Sequence, residues 1–278
     1  LAAGFTVAGN LTVQNTSGSD YLQVQALTPN SNPTITVNGN LSFPSTPGSS
    51  SLLNFGSSTP SSNITVALAG DLSISDAQAN LYANVTFNGT GSQSVAQSAG
   101  VVSTGTWTVN KASGTLSPTT TLTTTNPLTV TAGTFDPGSY AVSFGAMTIN
   151  GGTFTGGSQS ITCTSFTQSS GTFTSTSGTM TINSGGFNRT GGTFTHNSGT
   201  VTFSPNYGGV TITPGTSLTL YNATFSKVDP SDDYTATYSL AAGFTVAGNL
   251  TVQNTSSYDT LQVQALTPNS NPTITVNG

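Results

Sequence analysis

Between Leu128 and Phe203 one short pattern occurs four times with little drift, and it leaves few folds open. LTVTAGTFDPGSYAVSF begins at Leu128, MTINGGTFTGGSQSITC at Met147, FTQSSGTFTSTSGTMTI at Phe166 and FNRTGGTFTHNSGTVTF at Phe187. Each copy places a Phe seven residues in, at Phe135, Phe154, Phe173 and Phe194. An apolar pair two residues apart follows: Val142 and Phe144, Ile161 and Cys163, Met180 and Ile182, Val201 and Phe203. The copies are 19 to 21 residues long, alternate with period two, and are punctuated by Gly, Ser and Pro. A helix needs apolar residues three and four apart, so this spacing excludes it. Short Thr/Val/Ile/Phe runs at a fixed period specify a stack of repeating coils.

The expected fold is therefore an all-β parallel β-solenoid, three-sided, with three short strands in each coil. Crossover connections between parallel strands are right-handed with few exceptions, which sets the expected hand. Coil starts can be followed at Phe5, Ile35, Val66, Val85, Trp107, Leu128, Met147, Phe166, Phe187, Val210 and again at Phe244, which makes ten coils per period. Inward residues of successive coils lie about 4.8 Å apart and stack into columns. Phe135, Phe154, Phe173 and Phe194 form one expected core ladder. A Gly often follows the first strand, as at Gly9, Gly39, Gly70, Gly151-Gly152 and Gly191-Gly192, where the chain turns a corner and positive φ is tolerated.

A second, longer period encloses the first. Residues 1–39 recur at 240–278, an offset of 239, with changes only at Gly18/Ser257, Ser19/Tyr258 and Tyr21/Thr260. Chance does not produce this. Residues 1–239 read as one complete tandem unit and 240–278 as the start of the next, continuous with it, so the parent protein is expected to be longer. Three coils exceed the common length, and their extra residues form loops. The candidate binding residues on those loops are Asn30 and Asn32 in the first, and Asp232, Asp233 and Tyr234 in the last.

Chemistry is sparse. Only 4% of the chain is charged, with no Glu, eight Asp, and the cations Lys111, Arg189 and Lys227, for a net charge of -5. Phosphate binding needs clustered cations, so nucleic acid is not an expected partner. No apolar run reaches the roughly 18 residues that span a bilayer as a helix, and no membrane insertion is expected. Cys163 occupies an inward strand position and reads as a core thiol. His196 comes two residues after the inward Phe194 and belongs to the surface. The outward positions of the first strand are mostly Thr, which supplies no acid or base, so no catalytic residue and no enzymatic activity are expected. Asp229, Asp232 and Asp233 form the one acidic cluster, a weak Ca²⁺ candidate whose spacing matches no calcium loop; it reads as a solvated loop, and no cofactor is expected. Thr-x-Thr steps at Thr153, Thr172 and Thr193 resemble an ice-binding face. The Thr162, Thr179 and Thr200 runs are as dense on another face, and Asp136 interrupts the ladder, so Thr reads as an outward strand residue. Gln168 and Arg189 fall at inward positions and call for a local polar contact or a strand bent toward solvent.

The run VTFNGTGSQSV, then TWTVNKASGTL and LTVTAGTFDPGSYAVSFG, followed by the GGTFTGGSQSITC coils, resembles the repeat regions of very large bacterial surface proteins. It is similar in style to the β-helical stalks of filamentous-haemagglutinin and autotransporter-type adhesins. The resemblance is one of pattern and extends over nearly the whole chain. It implies a secreted, extracellular protein at the cell surface, acting as a fibre, stalk or sheath or in adhesion. The partners expected are neighbouring repeat units along the fibre axis, in the same chain or as a homopolymer, and, for an adhesin, cell-surface glycans held by the loops.

Overall fold

A computed structural model of the chain describes residues 1–16, 20–28, 31–45, 52–58, 63–102, 105–205, 208–227, 235–255 and 260–278. Among these residues every regular element is a strand and every strand pairing is parallel; the chain is a parallel β-solenoid of about nine coils. By packing it divides into two compact units, Leu1–Asp136 and Pro137–Gly278. The repeat boundary at Leu240 lies inside the second.

In the first unit the expected coil starts are direct neighbours. Phe5 pairs with Ile35, Ile35 with Val66, Val66 with Val85, Val85 with Trp107 and Trp107 with Leu128. A second ladder joins Leu11, Leu41, Leu72 and Val95, and a third joins Leu22, Leu53 and Ala79. Alternation explains the sorting. Ile35, Val37, Leu41 and Phe43 are fully buried, whereas Thr36 and Ser42 between them stay part-exposed. The residues that make the second coil long fall between the strands Leu41–Phe43, Leu53–Phe55 and Thr65–Leu68, so length is added at the corners without disturbing the ladders.

The second unit holds the aromatic column. Phe154 pairs with Phe173 and Phe173 with Phe194, their rings stacked with centroids 5.0 and 5.4 Å apart. Phe166 and Phe187 make a second stacked pair at 5.0 Å, and Phe166 meets Phe173 at 4.7 Å. Phe154 and Phe173 are fully buried; Phe194 is part-buried. Phe135 belongs to the first unit, where it pairs with Leu116 and is fully buried. Another ladder runs through Val142, Ile161, Met180, Val201, Ala223 and Leu250.

Two expected coil starts move. Phe187 pairs with Ile212, not Val210, and Ile212 pairs with Leu240, not Phe244. Phe244–Val246 instead lies beside Thr219–Leu220 and Ile274–Val276. Val210 and Ile212 are two apart and both buried, so period-two alternation cannot choose between them. The apolar pair Leu218 and Leu220 supplies the neighbour that Phe244 needs.

The corner glycines serve close approach. Gly39 and Gly70 do not have positive φ, but a Cβ on Gly39 would come within 2.3 Å of Asn10 Oδ1, and one on Gly70 within 2.4 Å of Asn40 Oδ1. Those amides are occupied. Asn10 Oδ1 accepts from Asn40 N at 2.8 Å, Asn40 Oδ1 from Asp71 N at 2.8 Å, and Asp71 Oδ1 from Ser94 N at 2.7 Å. Of the glycines named at these corners, Gly192 adopts positive φ, at 76°.

Phe173 sits between two stacked rings and against a third, so Phe173→Ala leaves a cavity no neighbour can fill. The expected loss is about 3–5 kcal/mol. Chemical denaturation of the two proteins would show the variant's midpoint clearly lowered; an unchanged midpoint would disprove the close packing of this column.

Candidate interaction surfaces

The first loop of the repeat is a short turn that both copies form. Ser31 N and Oγ donate to Thr28 O at 3.2 and 2.8 Å, and in the second copy Ser270 N and Oγ donate to Thr267 O at 3.1 and 2.7 Å. Ser in this position mimics a backbone turn, and Asn269, at φ 63°, tolerates the left-handed conformation that follows. Asn32 is exposed, as is its repeat Asn271. Asn30, Asp229, Asp232, Asp233 and Tyr234 lie outside the described residues. A groove beside the turn is lined by Leu240, Val263, Ala265 and Pro272 in the second copy; Leu1, Val24 and Ala26 line a groove in the first.

The outer faces carry hydroxyl rows. Thr153, Thr172 and Thr193 are in register, as are Thr155, Thr174 and Thr195. Thr162, Thr181, Thr202, Thr224 and Thr251 form a second row. Neither row contains a titratable group. Among the described residues no group of three or more His, Cys, Asp or Glu is placed to hold a metal ion, and no helix is long and apolar enough to cross a membrane.

The three cations are structural. Lys111 follows the inward Trp107 and Val109 in the same phase and is fully buried. Its Nζ donates to Gly89 O at 2.6 Å and to Gln93 Oε1, while Gln93 Nε2 donates to Leu68 O at 3.0 Å and to Gly70 O. Lys227 is fully buried as well. Arg189 reaches the corner of the next coil, donating to Thr216 O at 2.7 Å through Nη1 and to Gly192 O at 2.7 Å through Nη2. Gln168, fully buried, does the same one coil earlier by donating to Thr193 O at 2.9 Å. Of the two readings open for Gln168 and Arg189, the local polar contact is the one formed. These residues donate to backbone carbonyls of strands and corners, adding side-chain bonds between coils.

Cys163 is fully buried, and burial pushes its thiol up to about 12, so it is an unreactive core residue. His196 follows the strand Thr193–Thr195 and is half-buried; its Nδ1 accepts from Ser198 N at 3.0 Å, and its ring lies 5.5 Å from that of Tyr221. The sequence reading missed Lys111, although its phase after Trp107 and Val109 marks it as inward.

No protein-family model, curated protein or solved structure matches this chain.

Burial holds the Lys111 ammonium below the ordinary lysine value of 10.5, and the charge of Asp71 offsets part of that effect. The folded state therefore binds this proton less tightly than the unfolded chain. Between the lowered folded value and 10.5, the unfolded chain carries more protons, and stability rises with pH. Comparison with Lys111→Met removes the contribution of the tyrosines. Denaturant unfolding of both proteins from neutral to alkaline pH should show the wild type gaining on the variant across that window. A difference that stays flat would mean that Lys111 is solvated.

Proposed function

We propose that this chain is a segment of an extracellular structural fibre, stalk or sheath, built from tandem β-solenoid units joined end to end and projecting from the cell surface. The carrying observation is that the two copies of the 39-residue segment make the same internal pairing. Phe5–Val7 lies beside residues 35–37 and Phe244–Val246 beside residues 274–276, each at an offset of 30. A unit that repeats both its sequence and its register can be added without limit, as quasi-one-dimensional solenoids are. The composition suits exposure outside a cell. Two of the three cations are buried, which removes most sites for trypsin-like proteases. The role is mechanical, with no catalysis, and the style of the repeat connects it to bacterial surface stalks of the filamentous-haemagglutinin and autotransporter type.

Adhesion is the second reading, favoured by the turn at Thr28 and Ser31 that recurs at Thr267 and Ser270 beside a groove in each copy. Binding to immobilised cell-surface glycans should then fall when Asn32→Ala and Asn271→Ala are combined, with the fold unchanged. A pure scaffold would show no glycan binding in either protein.

Electron imaging of the native material tests the fibre. A layer line near 4.8 Å and an axial repeat on the order of 45 Å are expected, from nine to ten coils per unit. Short discrete particles without the longer repeat would refute the tandem fibre.

A further inference from the structure

Lys111 and Gln93 belong to consecutive coils, whose strands pair at Val85 with Trp107 and at Gln93 with Leu116. Both side chains lie in the core, at 0% and 3% exposure. Lys111 Nζ stands 2.5 Å from Gln93 Oε1. It therefore lies within about 3.7 Å of the carbonyl carbon Cδ, close to the separation from which a nucleophile adds. The same oxygen accepts from Gly89 N at 3.0 Å, a donor aimed at the atom on which negative charge gathers during addition. Gln93 Nε2 is held by Leu68 O at 3.0 Å and Gly70 O at 2.5 Å. Gly89 permits this approach, because a Cβ there would strike Ala69 O and come within 3.0 Å of Gln93 Cδ. Burial lowers the proton affinity of the amine, which raises the share of neutral nucleophile.

We propose that Lys111 Nζ and Gln93 Cδ join in an isopeptide bond that links the two coils covalently. Neutral Nζ adds to Cδ, the carbonyl electron pair moves onto Oε1, and its return expels Nε2. The Nζ–Cδ bond forms and the Cδ–Nε2 bond breaks. Counted from the lysine ammonium, two protons pass from Nζ to Nε2, so the positive charge leaves as an ammonium ion and no oxidant or co-reactant is needed. The acceptors that hold Nε2, Leu68 O and Gly70 O, serve that ion as it forms. Asp71 follows Gly70 in the chain, and its charge, which already acts on Lys111, favours a cation at this corner. Arg189 stands beside Gln168, but a guanidinium stays protonated and adds to no amide, so that pair remains a polar contact. The bond forms within one chain and does not depend on the fibre reading. The pH dependence derived for Lys111 belongs to the open chain and is read on protein of full mass.

Intact-mass spectrometry of the full chain, after incubation from neutral to alkaline pH, should show a species lighter than the sequence mass by one ammonia, its share rising with pH. Trypsin locates the bond, because the chain is cut only after Lys111, Arg189 and Lys227. An acylated lysine is not cut, so the light species, once denatured, should yield a fragment 1–189 in place of 1–111 and 112–189. Wild type incubated in denaturant should stay at full mass, since the bond depends on the folded geometry. Lys111→Arg and Gln93→Leu should both be cut after position 111. Succinimide formation at an Asn-Gly step such as Asn38-Gly39 or Asn88-Gly89 also releases ammonia, but it leaves Lys111 open to trypsin. A folded wild type that stays at full mass, or a light species still cut after Lys111, overturns the proposal. Resistance at Lys111 that persists in Gln93→Leu overturns it as well, because the lysine would then be joined elsewhere.

Discussion

Parallel pairing of each coil with the next is the interaction on which everything else in this protein depends. A strand such as Phe5–Val7 or Thr153–Thr155 is three residues long and has no stability alone. It persists because its backbone groups are paired to a neighbouring coil and its inward side chain contacts the residue one coil away. That coupling makes register the decisive variable. A slip of one residue along any ladder would turn Phe173 outward and Thr172 inward, placing hydroxyls in the column and rings in water. Ring stacking at Phe154, Phe173 and Phe194 therefore selects register as much as it adds burial.

Corners are where such a stack is weakest, since the chain turns there and carbonyls lose their ladder partners. The protein answers with side chains. Asn10, Asn40 and Asp71 each accept from the backbone of the next coil, and Gln93, Lys111, Gln168 and Arg189 donate to backbone carbonyls at the corners or at the strand ends beside them. This accounts for a fully buried lysine in a chain with so few charges. The ammonium satisfies Gly89 O and Gln93 Oε1 at once, and the desolvation cost appears as a lowered proton affinity. The glycines complement these groups, because Gly39 and Gly70 leave the space that the Asn10 and Asn40 amides fill.

Much of this was legible in the sequence because period-two alternation and a fixed coil length reinforce each other. From Phe5 to Leu128 the neighbours are the residues that the spacing names, and so are the column positions from Val142 to Val201. Legibility failed where alternation is degenerate. Val210 and Ile212 share an inward phase, and only the partner across the ladder separates them. It failed also at Gly39, where the constraint is a neighbouring side chain and not a dihedral angle, and at Lys111, whose charge masked an inward phase. Of the candidate loop residues, Asn32 is exposed; Asn30 and the acidic loop lie outside the described residues.

The lengths of the coils decide which errors of assembly are possible. Successive starts in the first unit are 30, 31, 19, 22 and 21 residues apart, so a slip by one coil would oppose strands to loops along all three ladders. Only a shift of 239 residues sets residues 1–39 against near duplicates, at 240–278. Irregular coils thus protect the register within a unit, while repetition leaves whole units interchangeable.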